Sequence, residues 1–574
     1  MDRITKSLLD EFCKQHAILH LSEDKQFEHF ASYLSVQRLY GETFDTNDIV
    51  IGDGNDTGID AIAIIVNGVL VTESDTIADL AETNGYLEVI FIFVQAERSP
   101  SFETAKIGQF SFGVADFFSV NPSLKRNPDV EEASAIMSAI FAQGPKLKRG
   151  NPSCKLYYVT TGKWQGDTNL EARRKAAVAD IEGIGLFKDV EFIPVDAGQI
   201  QRLYSQSINA LSREFIFSEK TVIPEIPGVK EAYLGLIPAP VFISILTDDG
   251  GQIAKSLFYD NVRDWQDFNS VNSEMRETLE SEIQRTRFAL MNNGVTIIAR
   301  TLRATGNKFY IEDFQIVNGC QTSHVLFSQR NKLTDESVMV PLRLISTQDE
   351  DITAAIIKAT NRQTEVKSEQ LLAISNFQKK MELFFQTFED EYRLFYERRS
   401  RQYNNMPRIE KTRIVLPSGL IRAFSAMFLD QAHRTTRNYK ALVDQVGTRI
   451  FNEDHRLEPY YLAAFASYRL EYFFRSQTID ARFKRARHQI LFASRLLANI
   501  EMPPQFNSRE MERYAKSLTD VFWDVDKAEK LLKDAAEVVD KAASGNLDKD
   551  NVRTQPFTEK VRVECLIRLG KPIR

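Results

Sequence analysis

The tightest constraint on how this chain can fold lies at its centre, in residues 288–327, which read FALMNNGVTIIAR, a short polar loop, and FYIEDFQIVNGCQTSHVLF. Two β-branched apolar runs, 295–298 and 314–317, each abut an amide-rich glycine turn, MNNG at 291–294 and VNGCQT at 317–322. Apolar run beside glycine turn, twice over, predicts strands rather than one long helix. Asn292, Asn293, Asn318 and Gln321 are then either turn formers, since Asn tolerates positive φ, or donors and acceptors facing a ligand. A third cluster, Thr360-Asn361-Arg362-Gln363, tilts the balance toward a polar pocket. Amides, the Arg362 guanidinium and glycine-turn N–H groups suit the phosphates of a nucleotide. No GK[ST] loop is present, so such a nucleotide would not be held as in a P-loop. The alternative is that these amides only stitch loops together.

The rest of the chain reads as several domains. At 574 residues it has length for about three to five domains of ordinary size. A hydrophobic content of 43% with 26% charged residues is that of a soluble globular protein. The acidic start is not followed by a long apolar stretch, and the strongest apolar run, 87–94, is too short to span a bilayer. A cytoplasmic protein without a membrane partner is expected. Four scattered cysteines lack any paired spacing and read as free thiols. Cys13, His16 and His20 could share a helical face, but no fourth ligand or HExxH glutamate accompanies them, so zinc is not expected. Pro224, Pro227, Pro238 and Pro240 mark a linker or seam. Beyond residue 390, helical spacing persists through 458–474, 481–499, 509–521 and 525–543. The expected fold is therefore multidomain, α/β and α+β, divided at 1–215, 216–390 and a helical 391–574.

Within the first domain, residues 26–40 read as an amphipathic helix carrying Glu28 near its start. GDGNDTG at 52–58 leads into a strand and lacks a GK[ST] ending, so it reads as a tight hairpin. Asp60 heads the strand that follows, and a later buried-looking strand ends in Gln95-Ala96-Glu97. Strand alternation puts Gln95 and Glu97 on one face. One carboxylate can thus face a carbonyl oxygen and a second carboxylate, a donor set suited to Mg²⁺ or Mn²⁺. Taken singly, Asp60 is also an ordinary strand-end residue and Glu97 an ordinary solvated charge.

Charge is unevenly spread: residues 1–120 carry roughly −13 and residues 390–500 roughly +9, which suggests different partners for the two ends. Near residue 390, YRLFYERRSRQYNNMPRIEKTR interleaves tyrosines with arginines. Arg398, Arg399 and Arg401 could neutralise phosphates while Tyr403 stacks on a base. A solvated helix face with its tyrosines in the core is the alternative.

The words NVRDW (261–265), MNNGVTI, QIVNGCQT and ATNRQTEV (359–366), in this order, resemble the AIPR family, named for abortive infection and phage resistance. That resemblance runs from about residue 25 to about residue 390. A fainter likeness, IVNGCQT, VPLRLI and IIKATNRQTEVKSEQ, is to ParB-like nucleotide-binding domains. The order helix, strand, Asp strand, Gln-x-Glu strand, helix and a strand ending in Thr161-Gly162 resembles the Mrr-like branch of PD-(D/E)xK nucleases. It implies a restriction-endonuclease-like mixed sheet with flanking helices, followed by a central α/β AIPR core.

By that resemblance Asp60 is a metal ligand, Gln95 replaces the second acid and Glu97 stands where lysine is usual. Glu28, on the preceding helix, joins Asp60 and Glu97 in the metal set. Lys106, on the next helix, is a candidate relocated lysine or an ordinary surface residue. The expected function is an Mg²⁺-dependent nuclease in anti-phage defence. DNA is the expected substrate, with RNA not excluded. A homodimer and companion proteins of a defence operon are further expected partners. The alternatives are a nuclease-inactive sensor or scaffold, and a nucleotide-dependent DNA-binding switch.

Overall fold

The computed structural model describes the chain apart from residues 53–56, 149, 209–210, 249–250, 252, 259–269, 361–375, 399–401, 404–405, 407–408, 548 and 573–574. It contains two compact units, one built from Met1–Ser207 with Ser375–Arg574 and the other from Ile208–Ile374. The first is discontinuous, so the helical C-terminal stretch packs into the same body as the N-terminal sheet.

That sheet forms because five short apolar segments punctuated by helices can bury both faces at once. Two helices, α1 (Arg3–Gln15) and α2 (Glu23–Gln37), precede β1 (Ala61–Val66), β2 (Val69–Val71), α3 (Thr76–Asn84), β3 (Val89–Glu97), α4 (Thr104–Phe117), α5 (Pro128–Ala142), β4 (Ser153–Thr160), α6 (Thr168–Glu182), β5 (Asp189–Val195) and α7 (Ala197–Ile208). The strand order is β2-β1-β3-β4-β5, with β1 antiparallel to β3 and β3, β4 and β5 mutually parallel. Strand β3 lies in the centre of the sheet, which is why its run VIFIFV is apolar on both faces. Ile62, Ile64, Phe91, Phe93, Leu156 and Phe192 pack with residues of α4, α5 and α6, whereas α2 lies against β3 on the opposite face. Ser22 caps α2, accepting from the Lys25 N–H, and Glu23 and Asp24 in its first turn complement the helix dipole.

In the C-terminal part the helices Pro417–Phe428, Glu458–Arg475, Arg487–Ala498, Arg509–Trp523, Val525–Ala542 and Gln555–Arg568 surround one apolar core. Phe424 stacks on Tyr460 within it at a centroid distance of 4.1 Å. Acids of the N-terminal half meet bases of this helical part. Arg475 lies 3.3 Å from Asp45, Arg487 3.9 Å from Asp48 and Lys440 3.8 Å from Glu82. Arg553 reaches both Asp75 (2.6 Å) and Glu73 (3.3 Å). Part of the opposite charge that the sequence assigns to different partners is therefore neutralised inside this unit.

The second unit holds β6 (Ser212–Ile216), β7 (Glu219–Val222), β8 (Val229–Pro238), α8 (Ala239–Leu246), α9 (Ser270–Glu280), the single turns α10 (Glu282–Arg285) and α11 (Phe288–Met291), β9 (Val295–Thr305), β10 (Lys308–Asn318), α12 (Cys320–Ser328), β11 (Met339–Thr347) and α13 (Glu350–Thr360). Its sheet runs β6-β10-β9-β11-β8-β7, parallel only between β9 and β11. The proline-bearing window, expected to be a linker or seam, supplies two strands of this unit, which begins at Ile208. Pro224 and Pro227 fall between β7 and β8, Pro238 ends β8, and Pro240 stands in the first turn of α8, where a missing N–H costs nothing. One sheet face packs against α8 and α12, and the other carries Ala232, Ile298, Val317 and Ile345 beneath Ile356 and Ile357 of α13.

Candidate functional site

The parallel run β3, β4, β5 brings the carboxyl ends of three strands to one edge of the first sheet, and antiparallel pairing brings the start of β1 to the same edge. Ala61 is opposite Val94, and the N–H of Asp60 donates to Val94 O at 2.9 Å. One more step of that register sets Asp60 opposite Gln95. The Asp60 carboxylate reaches back to β3, where Oδ2 accepts from the Ala96 N–H at 2.6 Å. Asp60 is half-buried and Gln95 is buried. Asp60, Gln95 and Glu97 thus share one strand-end locus, as the alternation requires.

Opposite charge comes from α4. Lys106 Nζ lies 2.6 Å from Glu97 Oε1, both side chains being partly exposed. The lysine is held above its ordinary pKa first by the hydrogen bond to Glu97, against partial burial, with the charges of Glu97, Glu103 and Asp60 adding to the effect. A carboxylate at position 97 cannot supply positive charge, but a neighbouring helix supplies it at the same place. The Thr161-Gly162 word closes the loop beyond β3: Thr161 Oγ1 donates to the carbonyls of Arg98 (3.2 Å) and Ser99 (3.0 Å). A Cβ on Gly162 would stand 2.2 Å from Pro100 O, so glycine is required there.

The remaining expected residues fare differently. Glu28 pairs with Lys25 at 2.7 Å on α2. Among the described residues no three His, Cys, Asp or Glu side chains gather as a metal-holding group. Arg398 is almost wholly buried, its Nε 2.8 Å from Glu382 Oε2. Tyr403 is buried too, and burial pushes its phenol up to about 12. These two therefore do not form a surface that stacks bases and binds phosphate: Tyr403 lies in the core, as the alternative has it, but Arg398 is a buried ion-pair partner rather than part of a solvated helix face. Arg399 and Arg401 lie outside the described residues, as do Asn361 and Arg362.

The amide turns of the second sheet are adjacent, one before β9 and one after β10. Asn292 Oδ1 accepts from the Gly294 N–H (2.9 Å) and from Thr322 Oγ1 (3.2 Å), tying one turn to the other. Gly294 (φ +77°) and Gly319 (φ +94°) both need the left-handed region, and a Cβ on Gly319 would fall 2.9 Å from Gly294 O. Asn293 is exposed, while Asn318 and Gln321 are half-buried on either side of Gly319.

The Glu97–Lys106 contact is the feature least readable in advance. Its only signal was a lysine in the first turn of the helix that follows the Gln-x-Glu strand.

Fold and site together define a multidomain protein of mixed α/β architecture with carboxylates and a lysine gathered at one sheet edge. The chain belongs to the AIPR family, whose model, described as AIPR protein, matches residues 258–545. The match begins well after the N-terminal sheet and extends into the C-terminal helices, later at both ends than the expected span of about 25 to about 390. No curated protein and no solved structure matches the chain. Membership points to abortive-infection defence against phage. No helix among the described residues is long and apolar enough to cross a membrane.

Proposed function

We propose that the chain is a defence nuclease whose N-terminal sheet carries the hydrolytic site, with residues 1–215 as a nuclease-like domain, 216–390 as the AIPR core and 391–574 as a helical region. The observation that carries this reading is the convergence of Asp60, Gln95, Glu97 and Lys106 at one strand edge from three separate elements. Their donors are hard oxygens, two carboxylates and one amide carbonyl, which fit Mg²⁺ or Mn²⁺. Asp60 and Glu97 would hold the ion, with the Gln95 carbonyl as third donor. Bound there, a divalent cation supplies an acidified water and neutralises phosphate charge. Lys106 stabilises negative charge growing on the phosphate, and Asp60, fixed by the Ala96 N–H, keeps its carboxylate oriented without further reorganisation. DNA is the first candidate substrate.

A second reading, a nuclease-inactive scaffold, is favoured because, among the described residues, no three His, Cys, Asp or Glu side chains are grouped so as to hold a metal ion. Purified full-length protein incubated with plasmid, single-stranded DNA and RNA, with Mg²⁺, Mn²⁺ or EDTA, separates the two. The nuclease reading expects metal-dependent cleavage that Asp60→Ala abolishes in a folded protein. No cleavage of any substrate by the wild type would leave the scaffold ahead.

A further inference from the structure

The segment just before Asp60 connects this site to the C-terminal helices. Ile51 N donates to Asp60 O (2.8 Å), Ile62 N donates to Ile49 O (2.9 Å), and Val50 bridges Ala61. Asp60 is therefore held on one side by β3 and on the other by residues 49–51. This outer piece is too short to define its own position, so whatever grips residues 43–48 sets it. On the sheet side, His29 Nδ1 of α2 lies 2.7 Å from Thr46 Oγ1. Three other grips come from beyond residue 390. Glu397 Oε2 accepts from Thr43 Oγ1 at 3.2 Å. Arg475, the last residue of the helix Glu458–Arg475, places Nη1 3.3 Å from Asp45 Oδ2. Arg487, the first residue of the helix Arg487–Ala498, lies between Glu471 (3.3 Å) and Asp48 (3.9 Å). The Arg475 side chain is 5% exposed, and its Nε and Nη2 find no hydrogen-bond partner among the described residues, so the guanidinium is committed to Asp45.

We infer that Arg475 and Arg487 are positioning residues for Asp60, clamping residues 45–51 so that the C-terminal helices hold the candidate metal-binding carboxylate in register with β3. The catalytic consequence rests on the nuclease reading, whereas the clamp itself does not. A molecule that engages these helices and draws either arginine away would loosen the strand edge, which gives the helical part a route to control the site.

Amide hydrogen exchange and single-turnover cleavage on the full-length chain test this together. In Arg475→Met and in Arg487→Gln, exchange at Ile51 and Ile62 should quicken about ten-fold or more, while the Tyr157 and Val159 amides of β4 keep their protection. The saturating single-turnover rate constant should fall roughly ten- to a hundred-fold with the half-saturating concentration little changed, as expected for a misplaced catalytic group. Asp45→Asn combined with Asp48→Asn releases the clamp from the opposite side without altering the helices, and should reproduce both effects. Unchanged exchange at Ile51 and Ile62 would overturn the inference, as would a loss of protection spread evenly over the sheet. Faster exchange in a protein whose wild type never cleaves would leave the clamp standing and sink the nuclease reading instead.

Discussion

The two sheets use the same kind of strand-end polar residue to opposite ends. In the second sheet, Asn292 spends its carbonyl on the Gly294 N–H and on Thr322, and two left-handed glycines pack one turn against the other. In the first, Asp60 bonds the Ala96 N–H of β3, yet Glu97, the next residue, is met by a cation from a different element. Amides beside glycines mainly satisfy their own backbone; charges of opposite sign arriving from separate elements build an electrostatic feature that a turn does not need. The basic run near residue 398 sides with the second sheet, because Arg398 and Tyr403 are consumed internally.

The largest effect that sharpens this contrast is expected at Gly319. Gly319→Ala forces a side chain into the left-handed region and to within 3 Å of Val295 and the Gly294 carbonyl. It should destabilise the chain by about 2–4 kcal/mol in urea unfolding, whereas exposed Asn293→Ala should cost almost nothing. Equal, small effects would mean that the turns are not the structural stitch described.

The next effect is in the buried cluster behind the basic run. Burial raises the Glu397 carboxyl from 4.5 to about 7, against hydrogen bonds from the Tyr403 N–H and Thr43, and lowers Lys411 from 10.5 to about 8. For Glu397 the folded pKa exceeds the unfolded one, so its contribution is present below about pH 4.5 and is lost as pH rises through about 7. Glu397→Gln should leave the Tm unchanged at pH 4 and stabilise by about 1–3 kcal/mol at pH 8. Stabilisation of the same size at both values would contradict a buried, titrating carboxylate.

A smaller stability effect but a clearer functional one is expected of Glu97→Lys. A lysine at position 97 would set two ammonium groups against each other, because Lys106 already lies beside it. Stability should fall by less than about 1 kcal/mol at this partly exposed locus, while cleavage is lost. Retained cleavage would show that Lys106 and Glu97 do not act as a pair.

Much of this organisation is legible in the chain. The helix expected over 26–40 is Glu23–Gln37, and the strands headed by Asp60 and ending in Gln95-Ala96-Glu97 are Ala61–Val66 and Val89–Glu97, whereas Val69–Val71, Thr76–Asn84 and Pro128–Ala142 had no expected counterpart. The shared locus of Asp60, Gln95 and Glu97 also follows, because pairing and alternation are local rules. The Lys106 contact does not, since it depends on how α4 returns over the sheet. Nor does the meeting of the acidic N-terminal half with Arg475, Arg487 and Arg553, which no local pattern encodes because the partners are hundreds of residues apart. The prolines do not separate linker from structure for a related reason: a strand end or a first helical turn accommodates them as readily as a linker does.

The claim that opposite charges at the first sheet's edge make a working site is tested most directly by the single-turnover cleavage rate of Lys106→Met beside wild type. A loss of about 10²-fold or more with stability within about 1 kcal/mol of wild type is expected, the range for removing a charge-stabilising donor. Cleavage at the wild-type rate without the Lys106 ammonium would contradict it.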